Sequence, residues 1–256
     1  MKTNDVMSKV PAVTLGFWAI KILATTLGET AGDTVSMSMD LGYLTGTAIF
    51  LGALIVLVIF QIMAKTFRPF LYWATIIAST TAGTTMADFA TRSMGIGYAG
   101  GSVLLLSGVL VALGIWYASE RTIAVDTVAS PKVEIFYWST ITLSQTLGTA
   151  LGDWLADTPG VGYLAAAGVF GALLAIVALL YYRTQISRAA LFWAAFILTR
   201  PLGATVGDFL DKPLSDGGLA LSRPVASAVL IVLVLAGIMF LPQKAGVHPG
   251  KRGASS

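Results

Sequence analysis

Asp33, Asp88, Asp153 and Asp208 each lie fifteen residues after a tryptophan, in a chain of which only 11% is charged. In every case a glycine (28, 83, 148 or 203) stands ten residues after that tryptophan and five before the aspartate. Stepping back from each aspartate in fours traces one helical face. It reads Lys21, Thr25, Glu29, Asp33 in the first copy and Ile76, Thr80, Thr84, Asp88 in the second. The third is Ile141, Gln145, Thr149, Asp153 and the fourth Phe196, Arg200, Ala204, Asp208. A central charge in hydrocarbon costs roughly 2.5–3.5 kcal/mol even on lenient insertion scales, so such a face belongs in a bundle interior or a wet cavity.

If four copies surround an axis, their carboxylates converge there and repel unless a cation or protons neutralise them. The expected site is therefore a metal site. Glu29, Asp33, Asp88, Asp153 and Asp208 supply its charge, and Thr25, Thr80, Thr84, Gln145 and Thr149 its neutral oxygens. Lys21 and Arg200 tune that charge; five acids against two bases leave −3, which suits a divalent ion plus one proton. There is no cysteine, and the single histidine, His248, reads as an inert residue of a polar tail. All-oxygen donors suit Mg²⁺, Ca²⁺ or Mn²⁺ over Zn²⁺ or Cu⁺. Met37, Met39, Met86 and Met94 read as flexible packing. The rival reading is that each aspartate caps a helix end and binds nothing.

The copies differ. Glu29 occurs only in the first and Arg200 only in the fourth. A closed ring makes these copies neighbours, so Arg200 is expected to pair with Glu29 or Asp33. Lys21 has an alternative, snorkelling outward along its stem. Pro201 removes a helical hydrogen bond and can kink or break its helix at a transport site. Gly28 with Gly32, Gly83 with Ala87, Gly148 with Gly152 and Gly203 with Gly207 have the small-residue spacing that lets membrane helices approach closely.

The elements that must position these residues follow from the same repeat. The tryptophans Trp18, Trp73, Trp138 and Trp193 are 55, 65 and 55 residues apart, so copies one and three, like two and four, are 120 apart. A second marker comes fourteen residues after each glycine: Gly42-Tyr43, Gly97-Tyr98, Gly162-Tyr163 and a looser Gly217-Gly218-Leu219. A long apolar run follows each marker. The simplest origin is a two-helix hairpin duplicated twice. With 56% hydrophobic residues and a mean hydropathy of +0.81, the chain is too apolar for a water-soluble fold. Its continuous runs exclude a membrane barrel. The fold class is all-α and polytopic: eight spans near 12–36, 42–63, 70–91, 98–118, 135–156, 163–182, 190–210 and 221–241, from four parallel repeats about a pseudo-fourfold axis. The first half is 1–125, the second 126–242, and 243–256 is a polar tail.

Lys2, Lys9, Lys65, Arg68, Arg121, Lys132, Arg183, Arg188, Lys244, Lys251 and Arg252 fall at one end of the spans, which places both termini in the cytoplasm. The net charge of +3 is dispersed over short loops, which argues against a nucleic-acid partner. Asp40, Arg92, Asp157, Asp211, Lys212, Asp216 and Arg223 read as a solvated outer rim. The four tryptophans and Tyr137 read as a cytoplasmic aromatic belt.

The Trp, Thr-Thr-x-Gly and Gly-Asp pattern resembles a family of bacterial inner-membrane proteins labelled only as uncharacterised membrane-anchored proteins. The resemblance covers nearly the whole chain and departs from the pattern at Arg200-Pro201 and Ala204. It implies a bacterial inner-membrane location. The partners expected are the bilayer, an inorganic cation and a second copy in a homo-oligomer; no prosthetic group is expected. No catalytic motif is present, so an enzyme is not expected. The expected function is transport of a hard divalent cation, most specifically manganese export, the alternatives being a passive cation channel and a scaffold or sensor. The orientation predicts that a reporter fused after Ser256 is active only in the cytoplasm; periplasmic activity inverts it.

Overall fold

Thr14, Ser130 and Ser187 each accept a backbone N–H three residues on, and so begin helices α1 (Leu15–Asp33), α5 (Pro131–Ala156) and α7 (Arg188–Asp211). Proline occupies the first turn of α3 (Pro69–Asp88), α5 and α8 (Arg223–Phe240), where its missing N–H costs nothing. The remaining helices are α2 (Gly42–Met63), α4 (Gly97–Glu120) and α6 (Gly162–Arg183). A computed structural model describes residues 7–247; His248, Lys2, Lys251, Arg252 and most of the expected tail lie outside them. The Gly-Tyr marker now has a cause. Gly42, Gly97 and Gly162 start their helices at φ of 74°, 72° and 73°, a left-handed conformation that a side chain would strain. The fourth copy has its left-handed glycine at the same place, Gly217 (φ 81°), but its outer helix starts later, at Arg223.

The odd helices form a closed ring in the order α1, α3, α5, α7, with α7 packed back on α1. The even helices stand outside it, and the partner of each is the inner helix of the following repeat: α2 on α3, α4 on α5, α6 on α7, and α8 on α1. The two helices of a repeat are thus not a packed hairpin. A wide π-helical turn after α1 (Thr34–Ser38) and after α3 (Phe89–Ser93) carries the chain sideways before the glycine reverses it.

Among the described residues five helices, α2, α4, α6, α7 and α8, are long and apolar enough to cross a membrane. The outer ones turn residues such as Ile55, Leu110, Leu164 and Val232 outward. In α1 the charges of Lys21, Glu29 and Asp33 lower the mean hydropathy, because they face the ring interior. α7 is continuous through Pro201, not broken there.

One end of the ring is closed by aromatic side chains. Trp73, Trp138, Trp193 and Tyr137 are buried, and only Trp18 keeps the partial exposure expected of a membrane belt. The residue before each tryptophan is also aromatic. Phe17, Trp73, Tyr72, Trp138, Tyr137, Trp193 and Phe192 form a closed circuit with centroid separations of 5.1–6.2 Å. Edge-to-face contact favours such a circuit. Strands β1 (Met7–Pro11) and β2 (Ala245–Val247) pair antiparallel over this end. Trp73 Nε1 donates to Gln243 Oε1 (3.0 Å) and Trp193 Nε1 to the Ile123 carbonyl (2.9 Å), which ties the covering segments to the aromatics.

The first glycine of each small-residue pair lies on a ring seam. A Cβ on Gly28 would meet Thr80 Cγ2 at 2.3 Å; on Gly83, the Gln145 backbone at 2.9 Å; on Gly148, Arg200 Cγ at 2.3 Å; on Gly203, Thr25 Oγ1 at 2.2 Å. The contacts run round the ring in one sense, and each glycine faces the stripe residue of the next inner helix. Gly148→Leu and Gly203→Leu should each cost about 1–3 kcal/mol or more and lower the yield of monodisperse protein in detergent. Gly52→Leu, with open space around it, should not; equal yields for all three would remove the seam packing.

Candidate functional site

The i, i+4 stripe stacks the ring interior in layers about 6 Å apart. The first layer is Phe17, Tyr72, Tyr137 and Phe192, one step before the stripe read from sequence. The second is Lys21, Ile76, Ile141 and Phe196, and the third is Thr25, Thr80, Gln145 and Arg200. The fourth is Glu29, Thr84, Thr149 and Ala204, and the fifth holds the four aspartates. All twenty side chains are buried.

Arg200 rises from the third layer into the fourth, where Ala204 leaves room above it. Its Nη2 donates to Glu29 Oε2 (2.9 Å), Thr84 Oγ1 (2.5 Å) and Thr149 Oγ1 (2.6 Å). One guanidinium nitrogen of α7 thus touches each of the other three inner helices. The expected pairing of Arg200 with Glu29 is present.

The fifth layer is held differently from the sequence expectation. Lys212 Nζ bridges Asp33 Oδ2 (2.8 Å) and Asp208 Oδ1 (3.0 Å). Arg92 bridges Asp88 (2.9 Å) and Asp153 (3.3 Å). Arg223 pairs with Asp211 (2.9 Å) and lies 3.7 Å from Asp33. Lys212 and Asp211 are buried and Arg223 is half-buried, so they are part of the site and not a solvated rim; Arg92 pairs with the site from an exposed position, and Asp40, Asp157 and Asp216 remain exposed. Asp33 and Asp88 make no side-chain cap bond. These carboxylates sit near helix C-termini, where the helix dipole disfavours a negative charge, so bases are needed beside them. Just beyond α7, burial pushes the Lys212 amine down, but Asp208, Asp33 and Asp211 outweigh it and hold the pKa well above its usual range.

The carboxylates converge. Single oxygens of Glu29, Asp33 and Asp88 lie within 4.8 Å of one another, as do those of Glu29, Asp153 and Asp208, and those of Asp33, Asp208 and Asp211. Six acids and four bases (Arg92, Arg200, Lys212, Arg223) leave −2, in place of the −3 expected. The neutral donors do not all join them. Thr84 and Thr149 are engaged by Arg200, and Thr25, Thr80 and Gln145 lie below it, on the aromatic side. Lys21 does not snorkel. It is fully buried, donates to Thr199 Oγ1 (3.2 Å) and lies 3.8 Å over the Phe196 ring.

The missed residues had a signal. One further step of four along the stripe reaches Arg92 from Asp88 and Lys212 from Asp208, and the two bases are 120 residues apart, like the copies that carry them. Lys212→Met leaves Asp208 unpaired and Asp33 with only Arg223 at 3.7 Å, and should cost about 3–5 kcal/mol in a chemical denaturation of the purified protein. Adding Asp208→Asn should return part of that loss; equal stability of all three proteins would show that the pair is not buried.

The family model of a repeat of unknown function, DUF347, matches the chain four times, at residues 16–67, 71–122, 136–187 and 191–243. Each match starts just before one tryptophan and takes in one inner and one outer helix. No curated protein and no solved structure matches the chain significantly.

Proposed function

The chain belongs to the DUF347 repeat family, and we propose that it is a membrane transporter for a hard divalent cation, with manganese export the most specific form. The observation that carries this reading is the group of six buried carboxylates with a net charge of −2, left by four fixed bases. A divalent cation cancels that charge without a proton. The donors are oxygen throughout, which suits Mn²⁺, Mg²⁺ or Ca²⁺.

In this reading all eight helices cross a bacterial inner membrane, with both termini cytoplasmic and the acidic layer toward the outside. The aromatic circuit then closes the cytoplasmic end. A closed end suits a carrier, which exposes its site to one side at a time, better than a passive channel. Lys212 and Arg92 stand in for the ion when it is absent. An entering cation takes carboxylate oxygens from them, so the unloaded site is never left with unpaired buried acids.

Titration of Mn²⁺ and Mg²⁺ into the purified protein, by calorimetry, tests the reading. Asp33→Asn and Asp153→Asn, on different helices, should both weaken binding. Their double variant should fall short of additivity by roughly 0.5–3 kcal/mol, because groups in one site are coupled. Wild-type affinity in both single variants would remove the shared cation site.

A further inference from the structure

Below the Arg200–Glu29 pair the chemistry reverses from acceptors to donors. In the third layer Thr80 Oγ1, Gln145 Nε2, Gln145 Oε1, Arg200 Nε and Arg200 Nη1 have no hydrogen-bond partner among the described residues, and all three side chains are fully buried. Buried polar atoms of this kind are rarely left unpaired. Here five fall in a single layer, and all but Gln145 Oε1 can donate. One turn below them is Lys21, whose ammonium meets a hydroxyl and a ring face but no carboxylate among the described residues. Glu29 neutralises Arg200, and no acid among the described residues pairs with Lys21. With Lys21 protonated, Lys21, Arg200 and Glu29 together bury one net positive charge.

We propose that the third layer is a binding site for a small inorganic monoanion, chloride in size and charge, held by Arg200, Gln145 and Thr80 and charge-balanced by Lys21. Water satisfies the donors but leaves the positive charge uncompensated in a low-dielectric interior, which is costly. A monoanion satisfies both. The helices around the layer are tightly packed: Gly28 and Gly148 bring neighbours so close that even a Cβ would lie 2.3 Å from Thr80 Cγ2 and from Arg200 Cγ. A divalent oxyanion exceeds the charge. Ile76, Ile141 and Phe196 screen the layer from the aromatic end, and the Arg200–Glu29 pair separates it from the aspartates. The anion is thus the internal counter-ion of a layer the cation does not enter, and its site stands apart from the cation reading.

Thermal unfolding of the detergent-solubilised full chain in sodium chloride, bromide or gluconate at equal ionic strength tests the site, since a ligand of the folded state raises the midpoint with its concentration. The midpoint should rise with chloride and with bromide but not with gluconate, and N-methylglucamine chloride should act like the sodium salt. Lys21→Gln should raise the chloride concentration needed for half of the shift by about tenfold or more, as loss of a buried charge partner implies. The wild-type protein crystallised in bromide should give an anomalous peak between Gln145 and Arg200. Identical midpoints in all three sodium salts, an undiminished shift in Lys21→Gln, or ordered water without anomalous signal at that position would each overturn the proposal. The manganese titration is separate, so failure of either site leaves the other standing.

Discussion

A guanidinium with no exposure to solvent crosses the axis of the ring, and the inner helices are arranged around it. Arg200 cannot lose its proton and presents more donors than any one partner can meet. It reaches Glu29 of α1, Thr84 of α3 and Thr149 of α5. The stem that carries it there passes α5 at Gly148, where a Cβ would lie 2.3 Å from Arg200 Cγ. The head rises into space left by Ala204. Arginine on α7, glycine on α5, alanine one turn above and glutamate on α1 are thus one arrangement. Substitution of any of them leaves a buried charge unpaired or without room, and a broken buried pair costs several kcal/mol.

The same pair divides the interior into two electrostatic regions. Toward one end are carboxylates at helix C-termini, made tolerable by Arg92, Lys212 and Arg223 at 2.8–3.7 Å. Toward the other are donors and a lysine, then isoleucines, then aromatics. A polar column open from end to end would conduct, and an apolar column would bind nothing. Here an acidic layer sits over a layer of donors, with the Arg200–Glu29 pair between them. In the proposed transport, a cation that reached the acidic end would meet Arg200, whose partner is carried by the α7–α1 seam.

Much of this was legible in the sequence. The four-residue stripe, the glycine seams and the adjacency of the first and fourth copies all follow from matched spacings, because helical geometry converts spacing into direction. Ring closure then gave Glu29 or Asp33 as the partner of Arg200, and the structure selects Glu29. Three features were not read. Which inner helix an outer helix packs on depends on how the Thr34–Ser38 and Phe89–Ser93 turns swing the chain, and an apolar run is equally apolar on either neighbour. The burial of Trp73, Trp138 and Trp193 was missed because a tryptophan near a span's end fits a belt and an interior closure alike; the aromatic before each one was the discriminating sign. Arg92 and Lys212 were read as rim because the stripe was stopped at the aspartates, although the next step of four reaches both.

Those two bases also show that the ring is less symmetric than its scaffold. The aspartates recur four times, but the bases that bridge them recur twice, 120 residues apart. Arg92 ties α3 to α5 through Asp88 and Asp153, and Lys212 ties α1 to α7 through Asp33 and Asp208. The ion pairs of the fifth layer therefore fall on two opposite seams. In the layers below, the charges of Lys21, Glu29 and Arg200 all belong to α1 and α7, while α3 and α5 contribute only neutral side chains. Fourfold repetition builds a ring that packs well, and charge placed on its first and last helices makes one seam electrostatically unlike the rest.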